Sequence, residues 1–250
     1  MPVPSEGSAN IPRISIVVPI KNGRQHISRT LDILDEALKA FSAEVIVVVN
    51  GSEDETAKEA HLAIARLTNV AIRVIEVHQP IGKAAALCLG FTKCSAQVVG
   101  FVDGDIGEYG KPFATADIRK MATIINGPMC LIAQRRRRAC RYRAIISRVY
   151  NGLVRVLFSL PINDVQCGLK LFNRTCLIRA LPYLSAAGFE IDAKIVSLAW
   201  KWGYEVRTYH IEWDSSAPVK LYQAVKLVLF VGIGMAYRLL RFRMRVWDRA

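Results

Sequence analysis

Along the first half of the chain, one pattern recurs: a run of β-branched apolar residues, a polar loop, then a stretch with helical spacing. The runs occupy residues 14–19, 44–49, 70–77 and 97–102, and a fifth strand is expected at 129–134. They are apolar on both sides rather than alternating, so a strand built from them leaves no face for water. Such strands belong to a parallel sheet covered by helices on both faces. Helical spacing fills residues 25–41, 53–67, 82–94 and 112–125 between them. Alternating β and α elements imply right-handed βαβ units. The expected fold class is therefore α/β, a Rossmann-like, mostly parallel sheet with helices on both faces. A chain of 250 residues is long enough to give one such domain a full core.

In open α/β sheets, ligands bind beyond the carboxyl ends of the strands. Here the first strand is followed by Lys21-Asn22-Gly23, and the second by Asn50-Gly51-Ser52-Glu53-Asp54. The fourth is followed by Asp103-Gly104-Asp105, and the fifth by Arg135. These four polar clusters should meet on one sheet edge. Two carboxylates one residue apart suit a hard divalent cation such as Mg²⁺ or Mn²⁺, with waters completing the shell. Gly104 is expected to let the backbone turn tightly between them. A cation held there would bridge a diphosphate and neutralise it as a leaving group. An isolated Asp-x-Asp also fits a solvated turn; its place after the fourth strand favours the metal-binding pair Asp103 and Asp105.

The second half is organised differently. Residues 144–159 read as an amphipathic helix, with Ile145, Val149, Leu153 and Val156 on an apolar stripe and Arg148, Asn151 and Arg155 on another face. Residues 160–172 form a loop leading into a short strand. A helix is expected at 190–202, a strand at 204–213 and a helical tail at 220–246. The domain reading is a tail at 1–12, one domain at 13–215 and a basic, apolar helical extension at 216–250. Trp200 and Trp202 are read as packing residues. Glu190 and Asp192 open a helix, where acids favour the dipole. The four histidines form no ligand pattern.

The net charge of +13 calls for an anionic partner, and it concentrates at residues 135–143 and 238–249. Guanidinium forks in the first cluster suit a phosphate, Arg135 first among them, although a solvated loop also fits the run. In the tail, residues 227–236 are apolar but are bounded by Lys226 and Arg238. A spanning helix needs roughly 20 apolar residues, so an interfacial helix is expected instead. Arg241, Arg243 and Arg245 interleave there with Leu240, Phe242, Met244 and Trp247. That mixture suits an anionic lipid surface; docking on the sheet or on a second subunit of a homo-oligomer is the alternative. The six cysteines form no CxxC pair and read as reduced thiols. Residues 1–12 lack the apolar core of a signal peptide. Together these point to the cytoplasmic face of a membrane.

Several of these motifs also carry a resemblance. Ile16-Val17-Val18-Pro19 with Asn22, Asn50-Gly51-Ser52 with Asp54 and Thr56, Gly82-Lys83, and Asp103-Gly104-Asp105 resemble the family-2 glycosyltransferases of the GT-A fold. The run from Asp164 through Gln166, Cys167, Gly168 and Lys170 to Phe172 narrows the resemblance to enzymes making polyprenyl- or dolichyl-phosphate sugars, dolichyl-phosphate glucosyltransferases in particular. The resemblance implies a nucleotide-sugar pocket lined by Pro19, Lys21, Asn22, Asn50, Ser52, Asp54, Lys83, Asp103 and Gly104. It implies a metal on Asp103 and Asp105, with Asp164, Gln166 and Asp192 at the sugar and acceptor. The acceptor phosphate is assigned to Arg135, Arg136, Arg148 and Lys170. This chain departs from the family in placing Gly23 after Asn22, a single Asn50 at the end of the second strand, and Ile106-Gly107 after Asp105.

The implied chemistry is inverting transfer of one hexose from a UDP- or GDP-sugar. A lipid phosphate acceptor is already ionised at neutral pH and needs no base. A sugar hydroxyl would need one, with Asp164 and Asp192 as candidates. The competing readings are a soluble transferase acting on a glycan or phosphorylated small molecule, a basic nucleic-acid-binding protein, and an inactive scaffold. The chain shows no nucleic-acid-binding module, and its basic residues adjoin apolar segments, so nucleic acid is not the expected partner.

Overall fold

The structure, a computed structural model, describes residues 12–106, 112–135, 141–184, 188, 190–211 and 233–247. Seven strands form its frame: β1 (Ile14–Ile20), β2 (Ala43–Asn50), β3 (Ala71–Val77), β4 (Val98–Val102), β5 (Met129–Arg135), β6 (Leu169–Asn173) and β7 (Glu205–Ile211). They lie in one sheet in the order β3-β2-β1-β4-β6-β5-β7. Neighbours run parallel except at β6, which is antiparallel to both β4 and β5. The helices are α1 (Arg24–Leu38), α2 (Thr56–Ile64), α3 (Gly82–Thr92), α4 (Pro112–Ile124), α5 (Arg141–Phe158), α6 (Arg174–Ala180), α7 (Ile191–Lys201) and α8 (Ile233–Phe242). A π-helical turn, Arg243–Trp247, continues α8.

The unbroken apolar runs are explained by two cores, one on each sheet face. Along β1 and β2, Val17, Ile46 and Val48 enter one core together with side chains of α3, α5, α6, α7 and α8. Ile16, Val18, Val45 and Val47 enter the other with α1, α2 and α4. The outermost strands β3 and β7 instead alternate exposed and half-buried positions, as edges do. The α/β expectation holds. The expected tail falls partly outside the described residues, as do Arg136 and the 1–11 segment.

On α5 the structure corrects the expected facing. An apolar stripe on a surface helix ordinarily faces the core. Here Ser147, Tyr150, Asn151, Val154 and Phe158 are buried, while Ile145, Val149 and Val156 are exposed. Tyr150, Val154 and Phe158 form a second apolar stripe that enters the core, and beside them the Asn151 side chain accepts a hydrogen bond from the Val165 backbone N–H at 3.0 Å and donates one to Ser147 Oγ. Those bonds satisfy the asparagine on the inward face, opposite Val149 and Val156.

A buried acid braces the sheet edge opposite the ligand-binding one. Glu44, at the start of β2, accepts from Ser15 Oγ at 2.6 Å and from both Ser95 N and Oγ at 2.8 Å, while its other oxygen meets Arg73 at 3.0 Å. Burial alone would raise its pKa, but the Ser15 and Ser95 hydrogen bonds and the Arg73 charge outweigh it and hold it below the ordinary glutamate value. A carboxylate depressed in the folded state stabilises above the unfolded pKa, and that stabilisation is lost as pH falls through the folded value. Glu44→Ala is expected to cost on the order of 2 kcal/mol in urea denaturation at neutral pH, with the donors left unpaired. The difference from wild type should shrink below about pH 4.

Candidate active site

The carboxyl ends of β1, β2 and β4 open onto a cleft of about 820 Å³. It is lined by Pro19, Lys21 and Asn22 after β1, Asn50 at the end of β2, and Asp103, Gly104 and Asp105 after β4. Gly82 and Lys83 reach it from α3, Gln166 from the loop before β6, and Asp192 from α7. Three of the four expected loop clusters thus meet at one cleft. Sequence reasoning missed His26 and Pro80, which also line it. His26 lies three residues past Gly23, in the first turn of α1, and that spacing is the signal that could have found it.

The β1 and β2 loops interlock. Asn22 N donates to Ser52 Oγ at 3.0 Å, Gly23 N to Thr56 Oγ1 at 2.8 Å and Arg24 N to Asp54 Oδ2 at 3.1 Å. Glu53 N donates back to Asn22 Oδ1 at 2.9 Å. The first N–H groups of α1 have no partners within the helix, and its N-cap Gly23 has no side chain to supply one. The β2 loop supplies one for Arg24 N, while His26 N and Ile27 N turn back to the Gly23 carbonyl at 2.9 Å. Ser52 and Asp54 therefore brace the cleft wall and are not among its lining residues. Burial opposes the ionisation of Asp54, but the Thr56 hydroxyl and the Arg24 and Thr56 N–H groups hold its pKa below the ordinary value. Asn50 lines the cleft, with its Oδ1 already accepting from Ile81 N at 2.8 Å. That bond ties the β3–α3 loop to β2. Gly51, at φ +60°, has no room for a Cβ, which would overlap Pro80 N.

The charged centre lies across the cleft floor. Lys83 Nζ is 2.8 Å from Asp103 Oδ1 and 3.7 Å from Asp192 Oδ2. Burial would lower the lysine's pKa, but the charges of Asp103, Asp192 and Asp105 raise it. Burial would likewise raise that of Asp103; Lys83, with Lys170 and Arg135 farther off, holds it below the ordinary carboxylate range. Asp105 is exposed in the cleft. Gly104 is required by close approach: a Cβ there would meet Ile20 Cβ at 2.8 Å and Pro19 O at 2.9 Å. The expected tight turn is also present, with Ile106 N donating to the Asp103 carbonyl at 3.1 Å.

Lys170 was expected at the acceptor phosphate, and the structure gives it another place. Its side chain is fully buried, and its ammonium bonds the Cys167 carbonyl and, at 2.7 Å, Asp192 Oδ1. It also lies 5.0 Å from the centroid of the Phe101 ring. A cation so enclosed has no surface to offer a ligand. It fixes Asp192 instead.

Asp164 is also buried and outside the lining. Its Oδ1 accepts from Gln166 N at 3.1 Å, and its Oδ2 faces Arg135 Nε at 3.4 Å. Arg135 Nη2 donates to the Gln166 carbonyl at 3.1 Å. Asp164 therefore shapes the turn that presents Gln166 to the cleft. Arg148 is exposed on α5 and does not line the cleft.

Antiparallel β6 explains why this second-half segment reaches the β4 edge. Val102 pairs with Leu169, so the residues entering β6 lie beside the residues leaving β4. Asp103 N donates to Gly168 O at 2.8 Å. A Cβ on Gly168 would overlap Asp103 Oδ2, a constraint the sequence did not reveal.

A mostly parallel sheet with an inserted antiparallel strand, flanked by helices, is a GT-A-like α/β fold. Residues 15–106 match the model of the Glycosyl transferase family 2; the chain carries a domain of that family and is a glycosyltransferase. Among characterised proteins it is similar to the dolichyl-phosphate beta-glucosyltransferase of Dictyostelium discoideum, 27% identical over 227 residues, which cover 83% of this chain and 68% of that one. The Homo sapiens protein of the same name is 25% identical, covering 88% and 72%. Among solved structures, a Pyrobaculum calidifontis mannosyltransferase in complex with GDP-mannose and Mn²⁺ superposes with TM-score 0.68 at 19% identity, over 93% of this chain and 65% of that one. Glucosyl-3-phosphoglycerate synthase of Mycobacterium tuberculosis, in complex with UDP, gives TM-score 0.65 at 17% identity, over 93% and 79%.

Gly168→Ala should displace the Asp103 carboxylate and lower turnover at least tenfold, with the far-UV spectrum unchanged. Lys170→Met should lower stability by about 3 kcal/mol in urea denaturation, because it leaves Asp192 buried without its closest cation.

Proposed function

We propose that this enzyme transfers a single hexose, glucose by its similarity to the dolichyl-phosphate beta-glucosyltransferases, from a nucleoside diphosphate sugar to a polyprenyl or dolichyl phosphate, with inversion. The observation that carries the reading is the arrangement of Asp103, Lys83, Asp192 and Asp105 on one open cleft. The cleft is large enough for a nucleotide sugar. In this reading Asn22, Asn50 and the loop around Pro19 and Lys21 hold the nucleotide, and Lys83 meets the diphosphate.

Asp105 together with Asp103 fits a divalent cation, Mg²⁺ or Mn²⁺. Among the described residues, no cluster of three His, Cys, Asp or Glu forms a complete protein cage. Two carboxylates with open space for phosphate and water oxygens are the donor set that Mg²⁺ takes. When bound, such an ion supplies charge neutralisation to the departing diphosphate.

The geometry also favours a phosphate acceptor over a hydroxyl. Both oxygens of Asp192 face lysine ammonium groups, and Asp164 is committed to Arg135 and the Gln166 N–H. A carboxylate engaged in this way is poorly placed to take a proton. An ionised phosphate asks for none, and Arg135, bonded to the Gln166 carbonyl, places a cation on that side of the site. A lipid acceptor keeps the enzyme at a membrane, and its five described cysteines are free thiols, which fits a cytoplasmic face. Among the described residues, no helix is long and apolar enough to cross a membrane.

The test is a donor panel, labelled UDP- and GDP-hexoses with a polyprenyl phosphate and Mg²⁺ or Mn²⁺. Glucosyl transfer to the lipid phosphate is expected, abolished by chelation and lowered about 100-fold in Asp105→Ala, as when one charge-stabilising group is lost. Robust transfer to water-soluble hydroxyl acceptors alone would contradict the lipid reading.

A further inference from the structure

Two helices turn apolar, basic faces outward, and the cleft uses neither. On α5, Ile145, Arg148, Val149, Arg155 and Val156 recur at helical spacing, with Val149 69% and Val156 80% exposed. On α8 and its π turn, Ile233, Tyr237, Leu240, Arg241, Met244 and Arg245 do the same, with Met244 65% exposed. The inner faces are fixed. Phe158 of α5 packs edge-on against Phe242 at 6.0 Å and Trp247 at 5.2 Å. Arg238 points inward, its Nε 2.8 Å from buried Glu190 Oε1. The two helices therefore pack on each other, and each has its outer face left open by the described residues.

We propose that this two-helix face docks on an anionic lipid bilayer, α5 as well as the tail helix lying at the interface. Its chemistry is one-sided. Residues 141–158 and 233–247 contain no Asp or Glu, while Arg141, Arg143, Arg148 and Arg155 lie in the first segment and Arg238, Arg241, Arg243 and Arg245 in the second. Valine, isoleucine and methionine enter the headgroup boundary, while exposed arginines reach lipid phosphates along their aliphatic stems. A second copy of this chain is the poorer occupant, because a two-fold interface sets a patch against itself and would oppose arginine with arginine.

This placement deepens the lipid-phosphate reading, although its observations are independent of that reading. The inner face of α5 carries Asn151, bonded at 3.0 Å to the N–H of Val165, which sits between Asp164 and Gln166. The same helix thus touches the acceptor side of the site with one face and lipid with the other. Their separation is one helix diameter, about 10 Å. A chain-bearing phosphate need rise only that far from its bilayer.

Vesicle flotation of the full chain tests this, using phosphatidylcholine vesicles with and without phosphatidylglycerol. The wild type should float with the anionic vesicles and release as salt rises. Val149→Glu/Val156→Glu should lower partitioning at least tenfold, and Arg148→Glu/Arg155→Glu by about fivefold or more per arginine. Turnover of the valine variant on a short, water-soluble polyprenyl phosphate should match wild type, showing an intact fold and site. Should that variant float like wild type, the docking surface is wrong. A wild-type dimer in light scattering that the variant makes monomeric would also overturn it, by assigning the face to a second copy. Loss of flotation in an enzyme inactive on every lipid phosphate would sustain the docking surface and defeat the acceptor reading instead.

Discussion

The lysine at position 83 holds the site together. Its ammonium lies between Asp103, which ends β4, and Asp192, which opens α7. Without a cation between them, half-buried Asp103 and buried Asp192 would repel each other where water is partly excluded. A second buried cation, Lys170, takes the other oxygen of Asp192. Charges from α3, β4, β6 and α7 therefore alternate in sign across the cleft floor, each desolvated ion facing an opposite one. That alternation holds the pKa of Asp103 below the ordinary carboxylate range and leaves Asp105 on the open side, where a ligand can be met.

The sheet topology makes the arrangement possible. Parallel strands alone bring the ends of β1, β2 and β4 to one edge. Antiparallel β6 brings in the start of a strand, and with it Gln166 and Gly168, next to Asp103. Gly168 is fixed by the absence of space beside the Asp103 carboxylate rather than by any unusual backbone angle. The region most specific to the proposed acceptor is thus built into the wall of the donor site, and the outer surface of α5 extends it toward lipid.

Much of the fold was legible because its central strands are buried on both faces, which turns β2 into an uninterrupted apolar run from Val45 to Val49. The cleft residues that follow strands were legible for the same reason: once β1, β2 and β4 are placed, so are Asn22, Asn50 and Asp103. What sequence could not show was which polar side chains serve ligands and which serve the scaffold. Ser52 and Asp54 carry the family pattern yet are spent on the scaffold, Ser52 on the Asn22 N–H before α1 and Asp54 on the first N–H of α1. Lys170 sits in the most specific motif yet is buried on Asp192. The facing of α5 was hidden because a second stripe, Tyr150, Val154 and Phe158, competes with the first and is joined on its buried side by the Asn151 bond to Val165. Hydropathy patterns do not register a single long-range hydrogen bond.

Calorimetric titration of UDP and GDP, each with Mn²⁺, into wild type and Lys83→Met tests the central claim most directly. Wild type should bind one of the two nucleotides, and the variant should bind it at least tenfold more weakly while retaining its fold by circular dichroism. A folded variant that binds the nucleotide as tightly as wild type would show that the Lys83 bridge does not organise the site.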